Sequence, residues 1–231
     1  MKILDRHKPL INEFWKQLED GAYDEKYSPG FLFFEESFKD IILEDIGLTE
    51  HLSIYPYIII SLCKEGYKVD ELEDDYKKLE FFLENRTSLK LSSSTEYMDL
   101  KVFANSFYGN LANPYKSYNY SERNKGIKIT HLVNFYNSLI LNDLRNFNEN
   151  KIIYIDVDSI YHIGDLDYKD LIFIKRDFIN IDFLCIERKK RYMLLSEGEY
   201  KSKGYRRINK SEVENKFKSV VRDRQLRKLG I

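Results

Sequence analysis

The chain is organised around Tyr154-Ile155-Asp156-Val157-Asp158-Ser159, a pair of carboxylates two residues apart between the apolar runs 152–153 and 160–163. The β-branched and aromatic flanks favour strands. Either one strand carries both carboxylates on the same side, or a tight turn at Val157 brings both to the tip of a hairpin. Carboxylates this close repel one another unless a cation lies between them, and Mg²⁺ prefers such oxygen ligands. The stretch therefore indicates a metal site at a hairpin tip or, because Asp is a common turn residue, an Asp-rich surface turn.

The composition is that of a globular protein. The 231 residues are 43% hydrophobic and 32% charged, enough for one large domain or two small ones. Cys63 and Cys185 match neither a zinc site nor a disulfide framework, which predicts a reducing, cytoplasmic location (a host cytoplasm if the chain is viral). Charged residues interrupt the first ten positions, and no apolar run is long enough for a bilayer. A secreted or membrane-spanning protein is therefore not expected.

The charge is unevenly distributed along the chain. Residues 186–231 contain 15 Lys and Arg against 6 Asp and Glu, a net charge of +9, which leaves −10 for the first 185 residues of a chain with net charge −1. A basic segment on an otherwise acidic chain suggests a polyanionic partner. A solvated basic helix is the competing interpretation.

The regular elements follow from hydrophobic periodicity and turn residues. Apolar spacings of three and four predict helices over 5–18, 69–91, 95–105 and 129–147, of which 69–91 and 95–105 form an antiparallel hairpin. A helix from Pro56 to about Lys64, capped by Gly66, and a basic helix over 211–229 are also expected. Strands are predicted at 31–34, 41–43 and within 183–205, with a short helix at 168–179 and irregular chain at 113–126. The sequence thus predicts an α+β fold.

A second chemically suggestive segment is Lys101-Val-Phe-Ala-Asn105-Ser-Phe-Tyr108-Gly109. On a helix, Lys101, Asn105 and Tyr108 share one face through their spacings of four and three. Such a face offers a cation and an amide to a phosphate chain, and a flat ring to a base or sugar. A helix end with assorted polar residues is the alternative.

This segment resembles the Lys-x-x-x-Asn-Ser-x-Tyr-Gly motif of family B DNA polymerases, and five further segments resemble motifs of that family in its order. Segment 154–159 resembles Tyr-x-Asp-Thr-Asp-Ser, with Val157 where Thr is usual, and 53–56 resembles Ser-Leu-Tyr-Pro. Segments 86–90, 189–192 and 203–204 resemble Arg-x-x-x-Lys, Lys-Lys-Arg-Tyr and Lys-Gly. The resemblance covers roughly residues 21–207.

The resemblance implies a polymerase core. Residues 1–66 would form an N-terminal helix and the first part of a palm with an antiparallel sheet and packed helices, and 67–112 a two-helix fingers hairpin. Residues 113–205 would complete the palm, and 206–231 would form a minimal thumb or basic helix. The implied reaction is template-directed addition of dNTPs to a primer 3′ end. The chain would act alone or as one part of a split polymerase.

The resemblance also implies the metal ligands. Asp158 would bind two Mg²⁺ ions, with Mn²⁺ as the alternative ion, and Asp156 would lie beside the primer end. One metal activates the primer 3′-hydroxyl, and the other holds the triphosphate and the leaving pyrophosphate. The third ligand of the family is an Asp where this chain has Glu50. Asp45 is an alternative ligand if residues 47–52 form an inserted loop.

Contacts to substrates follow from the same motifs. Arg86, Lys90 and Lys101 would neutralise the triphosphate, and Asn105 would add a hydrogen bond. Tyr55, within the Ser53-Ile54-Tyr55 segment, would reject a 2′-hydroxyl, and Tyr108 would line the nascent base pair. The residues expected to contact primer–template DNA are Lys189, Lys190, Tyr192, Lys203 and Gly109.

Two departures from the family leave a second hypothesis open. Glu50 is one methylene longer than the expected Asp, and a misplacement of ~1 Å can cost on the order of 10²-fold in rate. The exonuclease domain and full thumb of the family are not expected in this chain, so a partner subunit would supply them. The alternative is a catalytically impaired polymerase-like subunit that binds nucleic acid or a replication partner.

Overall fold

The computed structural model describes residues 3–20, 41–51, 54–92, 95–111, 120–147, 151–156, 159–162, 175–188, 191–196, 199–205 and 208–228. These residues form two compact units. The helical unit comprises 3–20 and 54–143, and the sheet unit comprises 41–51 and 144–228. The predicted strand at 31–34 lies outside the described residues. No helix within the described ranges combines the length and the apolar character needed to cross a membrane.

The helical unit contains five α-helices. They are α1 (Lys8–Glu19), α2 (Ile54–Lys64), α3 (Glu73–Leu91), α4 (Thr95–Leu111) and α5 (Tyr120–Phe147), the last continuing beyond the unit's boundary. Short 3₁₀ turns, Asp5–His7 and Asp70–Leu72, precede α1 and α3. Gly66 ends α2 as predicted: its φ of +94° allows Tyr67 to donate to the Leu62 carbonyl.

Helices α3 and α4 form the predicted antiparallel hairpin. Tyr76 contacts Phe107 near one end, with ring centroids 5.4 Å apart, and Phe82 contacts Tyr97 further along, at 6.1 Å. Residue numbers rise on α3 as they fall on α4, which is the antiparallel arrangement. The buried stripe of α4 consists of Leu100, Ala104, Phe107 and Leu111. These side chains fix which face of α4 is turned away from the core.

Helix α5 begins at Tyr120, so the prediction of irregular chain is wrong for 120–126. Gly126 lies inside the helix because it approaches the end of α4: a Cβ at this position would overlap the Leu111 carbonyl oxygen. A glycine that normally weakens a helix is therefore required here by packing.

Replacing Gly126 with Ala should destabilise the protein by about 1–3 kcal/mol, because overpacking against a backbone carbonyl outweighs the gain in helix propensity. Thermal or urea unfolding measures the change. Gly109 on α4 provides the matched control, since a Cβ there meets no atom within 4 Å. Gly109→Ala should leave stability unchanged or raise it by up to about 1 kcal/mol. Equal losses in both variants would contradict the close approach.

The sheet unit is a six-stranded antiparallel sheet followed by a helix. Its strands are β1 (Ile41–His51), β2 (Ile152–Asp156), β3 (Ser159–His162), β4 (Lys175–Arg188), β5 (Arg191–Ser196) and β6 (Glu199–Lys203), in the order β2-β3-β1-β4-β5-β6. Helix α6 (Lys210–Lys228) begins with a capping box in which Asn209 and Glu212 exchange side-chain and backbone hydrogen bonds of 2.7 and 3.0 Å.

The described core of this sheet is divided between two clusters. One cluster consists of Tyr154, Tyr161, Ile181, Leu184, Ile186, Tyr192 and Leu194. The other lies beneath α6, where Val213 packs with Cys185 and Met193. Cys185 alternates with Leu184 and Ile186 along β4, as expected for a strand with both faces covered. The predicted α+β class, with an antiparallel sheet and packed helices, is confirmed.

Two strand predictions need correction. Strand β1 spans 41–51 rather than 41–43, because it pairs with β4 along its whole length, from Ile41 opposite Ile186 to His51 opposite Lys175. The same pairing makes 175–179 part of β4, so the helix predicted at 168–179 is wrong there, and 168–174 lie outside the described residues. Long-range pairing overrides the local signal in both cases.

Candidate metal and nucleotide sites

The hairpin β2–β3 carries the carboxylate pair. Its last paired residues are Asp156 and Ser159, so only residues 157 and 158 connect the strands. Of the two predicted geometries, the antiparallel pairing of Asp156 with Ser159 shows a hairpin rather than one continuous strand. Asp158 itself lies outside the described residues, and its predicted role as metal ligand stays a prediction.

Strand β1 brings Glu50 to the neighbourhood of this hairpin. Glu50 pairs with Ile160 of β3, which pairs in turn with Ile155 of β2. The next row across the three strands is His51, Ser159 and Asp156. Glu50 is thus one row from Asp156 across one intervening strand, and two strand spacings place the β1 and β2 backbones about 9.5 Å apart.

Asp45 lies elsewhere on the same strand. It falls between the pairs Glu44–Phe183 and Ile46–Ile181, where β1 pairs with β4 rather than with the carboxylate hairpin. Five residues of strand put it about 17 Å from Glu50. The Asp45 alternative depended on an inserted loop at 47–52. That loop prediction is wrong for 47–51, because these residues are part of β1. The backbone therefore favours Glu50 as the third carboxylate.

The α3–α4 hairpin carries the predicted phosphate ligands. Arg86 and Lys90 lie in the last two turns of α3 and, within the described part of the chain, make no ion pair or side-chain hydrogen bond. Lysines near the other end of the hairpin differ, since Lys68, before α3, and Lys77, on α3, both pair with Glu73. Among the described residues, Arg86 and Lys90 near the tip of the hairpin are therefore available to bind an external anion.

Arg86 and Lys101 are spread along this hairpin rather than clustered. Arg86 is one turn beyond Phe82, and Lys101 is one turn beyond Tyr97, on a helix running the opposite way. Because Phe82 contacts Tyr97, the two cations are separated by about 12 Å along the axis. The Lys101 Nζ lies 6.0 Å from the Tyr97 ring centre. Such spacing suits an extended polyanion better than a single phosphate group.

Two further predicted residues meet near the base of the hairpin. Tyr55, in the first turn of α2, stacks on Tyr108, near the end of α4, with ring centroids 4.6 Å apart and planes inclined by 13°. Both rings are half-buried. The structure thus joins the Ser-x-Tyr-Pro segment to the Lys-x-x-x-Asn-Ser-x-Tyr-Gly helix.

Asn134 on α5 supports this stack and is absent from the sequence predictions. The Tyr108 hydroxyl donates a hydrogen bond of 2.8 Å to the Asn134 Oδ1, and Asn134 is 9% exposed. Burial raises the pKa of Tyr108, and the hydrogen bond to Asn134 opposes this only in part, so the phenol stays protonated at neutral pH. No local sequence signal marked this residue, because the residues four before and four after it, Thr130 and Ser138, place it outside the apolar stripe of α5.

The remaining predicted residues have varied surroundings. Asn105 and Gly109 are exposed on α4, and Lys203 is exposed at the end of β6. Ile54 begins α2. Ser53, Lys189 and Lys190 lie outside the described residues.

Tyr192 was expected to grip the primer, and the structure places it differently. Its side chain is 1% exposed and packs against Tyr154 and Tyr161, with centroid distances of 5.9 and 5.3 Å. In this structure it offers almost no surface to DNA, because the alternation of β5 directs it into the core. It supports the hairpin strands β2 and β3 instead.

The available carboxylates are chemically suited to a hard divalent cation, since Asp156, Asp158 and Glu50 all supply oxygen. Among the side chains that the structure describes, no three His, Cys, Asp or Glu residues converge as a metal site. The side chains of Glu50, Asp156 and Asp158 are not among those described.

Comparisons with known proteins add no family. No family model matches this chain, and no curated protein matches its sequence significantly. The functional argument therefore depends on the motifs and on where the structure places them.

Proposed function

We propose that this protein is a template-directed DNA polymerase core that adds dNTPs to a primer 3′ end by two-metal nucleotidyl transfer. The observation that carries the proposal is the stack of Tyr55 on Tyr108. It joins a sugar-selecting segment to a nucleotide-binding helix at the base of a hairpin whose Arg86 and Lys90, in the described part of the chain, make no ion pair. Short motifs that matched only by chance would not be expected to bring these two tyrosines into contact.

In the proposed complex, the triphosphate lies along the α3–α4 hairpin. Arg86, Lys90 and Lys101 neutralise its charge, and the exposed Asn105 donates a hydrogen bond. Charge-assisted hydrogen bonds of this kind contribute about 1.5–3 kcal/mol each. The axial spread of the cations matches a chain of phosphates, and the sugar lies against Tyr55.

The carboxylates of the sheet unit complete the proposed chemistry. Asp158, Asp156 and Glu50 would hold two Mg²⁺ ions, which when bound activate the primer 3′-hydroxyl and stabilise the leaving pyrophosphate. In support, the register of β1 brings the backbone of Glu50 within one row of Asp156, and Asp158 follows Asp156 by two residues in the sequence.

Primer–template DNA is the proposed macromolecular partner. Segment 186–231, with its net charge of +9, includes Lys189, Lys190, Lys203 and the basic helix α6. Contacts from these side chains to phosphates fix register without reading sequence, and they weaken steeply with salt. A second subunit carrying an exonuclease or thumb fits the same proposal, as does a cytoplasmic location.

Lys101→Ala should lower kcat/KM for dNTP incorporation by about 10- to 100-fold, because one charge-assisted contact to the triphosphate is lost. Single-nucleotide extension kinetics measure the change. Lys78 is the matched control: it lies on the same hairpin with its Nζ 4.5 Å from the Phe103 ring centre, but outside every motif. Lys78→Ala should change kcat/KM by less than about twofold. Similar losses in both variants would indicate a general effect of hairpin charge.

The alternative, an impaired polymerase-like subunit, is favoured by one feature, Glu50 in place of Asp. Titration of a primer–template in the presence of Mg²⁺, with and without the matching dNTP, distinguishes an active polymerase from an impaired polymerase-like subunit. A working nucleotide site tightens DNA binding only with the matching dNTP. DNA binding that is equally tight with and without the matching dNTP supports the impaired subunit.

The direct test is extension of a labelled primer by the purified chain with Mg²⁺ and four dNTPs. Template-directed products, whose added base follows the template, are expected. Products independent of the template, or shortened primers, would overturn the proposal, the latter indicating a nuclease built on the same carboxylates.

A further inference from the structure

We propose that Asn134 is a positioning residue for sugar selection, acting through Tyr108 on Tyr55. The inference rests on the proposed function, since it concerns how the same nucleotide site distinguishes deoxyribose from ribose. Asn134 does not touch the substrate in this account. Its effect is transmitted by one hydrogen bond and one ring stack.

The three residues form a relay across three helices. Asn134 on α5 accepts the hydrogen bond from Tyr108 on α4, and Tyr108 stacks on Tyr55 at the start of α2. A face-to-face stack holds two rings together but allows them to slide past one another. The bond at the far end of Tyr108 removes that freedom, because a displaced ring would leave a buried amide oxygen without its donor.

The surroundings of Asn134 support this role. The side chain is 9% exposed, although Asn is a poor helix former and a buried amide needs hydrogen-bond partners. An apolar residue would satisfy packing at this position better. The structural reason for an amide is the Tyr108 hydroxyl, the single hydrogen-bond partner of the Asn134 side chain among the described residues.

The consequence for sugar selection is mechanical. A ribonucleotide places its 2′-hydroxyl where the Tyr55 ring lies, so the ring must shift for the sugar to fit. Tyr55 is stacked on Tyr108, so a shifting Tyr55 ring either carries Tyr108 with it or slides over it and gives up part of the stacking contact. Asn134 resists the movement of Tyr108, and it therefore adds to the barrier against ribonucleotides while leaving deoxyribonucleotides unaffected.

The experiment compares incorporation of a dNTP and the matching rNTP by wild type, Asn134→Ala, Tyr108→Phe and the double variant. Each single variant removes the same hydrogen bond from one side. The ratio of kcat/KM values for dNTP and rNTP is expected to fall by about two- to tenfold in each single variant, the size expected for one hydrogen bond. The double variant should match the singles, because the bond is lost only once.

Two further variants separate positioning from stability. Asn134→Asp keeps an oxygen acceptor and should recover most of the wild-type ratio. Asn137 is a second fully buried Asn on α5, three residues after Asn134. Asn137→Ala should lower thermal stability without changing the ratio. Equal losses of dNTP and rNTP incorporation in Asn134→Ala, with an unchanged ratio, would overturn the inference.

A binding measurement distinguishes failure of the inference from failure of the proposed function. Calorimetric titration with dATP and ATP should show a preference for dATP that Asn134→Ala reduces, even if wild type extends no primer. A dATP preference that Asn134→Ala reduces, together with no primer extension by wild type, would overturn the polymerase proposal but support the positioning role. A preference unchanged in Asn134→Ala, or no binding of either nucleotide, would overturn the inference.

Discussion

Asp158→Ala should reduce template-directed extension by on the order of 10³-fold or more, because both metal positions lose their shared ligand. Asp158 follows Asp156 by two residues, between the last residues that pair β2 with β3, Asp156 and Ser159. Asp156 and Glu50 alone cannot neutralise two divalent cations. Single-turnover extension with saturating dNTP measures the chemical step directly.

Asp45→Ala is the matched control for this experiment. Asp45 is a carboxylate on the strand that also carries Glu50, but its neighbours in the sheet are on β4. Its removal should leave the rate of extension within about twofold of wild type. Loss of extension in Asp45→Ala and retention in Asp158→Ala would overturn the assignment of the metal ligands. DNA binding by both variants checks that they are folded.

Much of the helical unit could be predicted because its signals are local. The apolar spacing of α1, the glycine that ends α2 and the charged, Gly-free α3 each act over a few residues. Helix α5 shows the limit of such signals. Gly126 predicts an interruption on its own, and only the approach of the Leu111 carbonyl explains why a helix continues through it.

The sheet was harder to predict because its strands are defined by distant partners. Glu44 and Asp45 interrupt the apolar run of β1, and 175–177 are Lys-Arg-Asp, so neither stretch has the composition of a strand. Each becomes part of a strand through a partner more than a hundred residues away, with Glu44 opposite Phe183, and Lys175 opposite His51. An alternation of apolar and polar residues cannot reveal such a pairing where the paired residues on both strands are polar.

The site shows the same division between local and distant information. Motifs identified the hairpin cations and both stacked tyrosines, since each motif fixes the spacing of its own residues. They assigned Tyr192 to DNA because a linear motif does not specify which face of β5 is covered. They also missed Asn134, which belongs to no motif and acquires a role only where α5 passes Tyr108.

Glu50→Asp should raise the rate of extension, by up to about 10²-fold, because it shortens the third carboxylate to the length that the resembling family uses. The register places the backbone of residue 50 opposite Ile160, which is two residues after Asp158 in the sequence. The substitution therefore changes the length of the side chain without moving the strand. If residue 50 is the third ligand as proposed, a glutamate would carry its carboxylate about 1 Å further than an aspartate and would move a bound metal away from the primer end. Single-turnover extension with Mg²⁺ measures the gain.

Glu44→Asp makes the same substitution on the same strand, opposite Phe183 of β4, and should leave the rate unchanged. A gain confined to Glu50→Asp would show that residue 50 is a metal ligand and that its length limits catalysis. A loss confined to Glu50→Asp would still identify residue 50 as part of the site, but it would mean that the surrounding carboxylates are positioned for the longer side chain. Equal rates in wild type and both variants would remove Glu50 from the metal site and leave the hairpin carboxylates without their partner on β1.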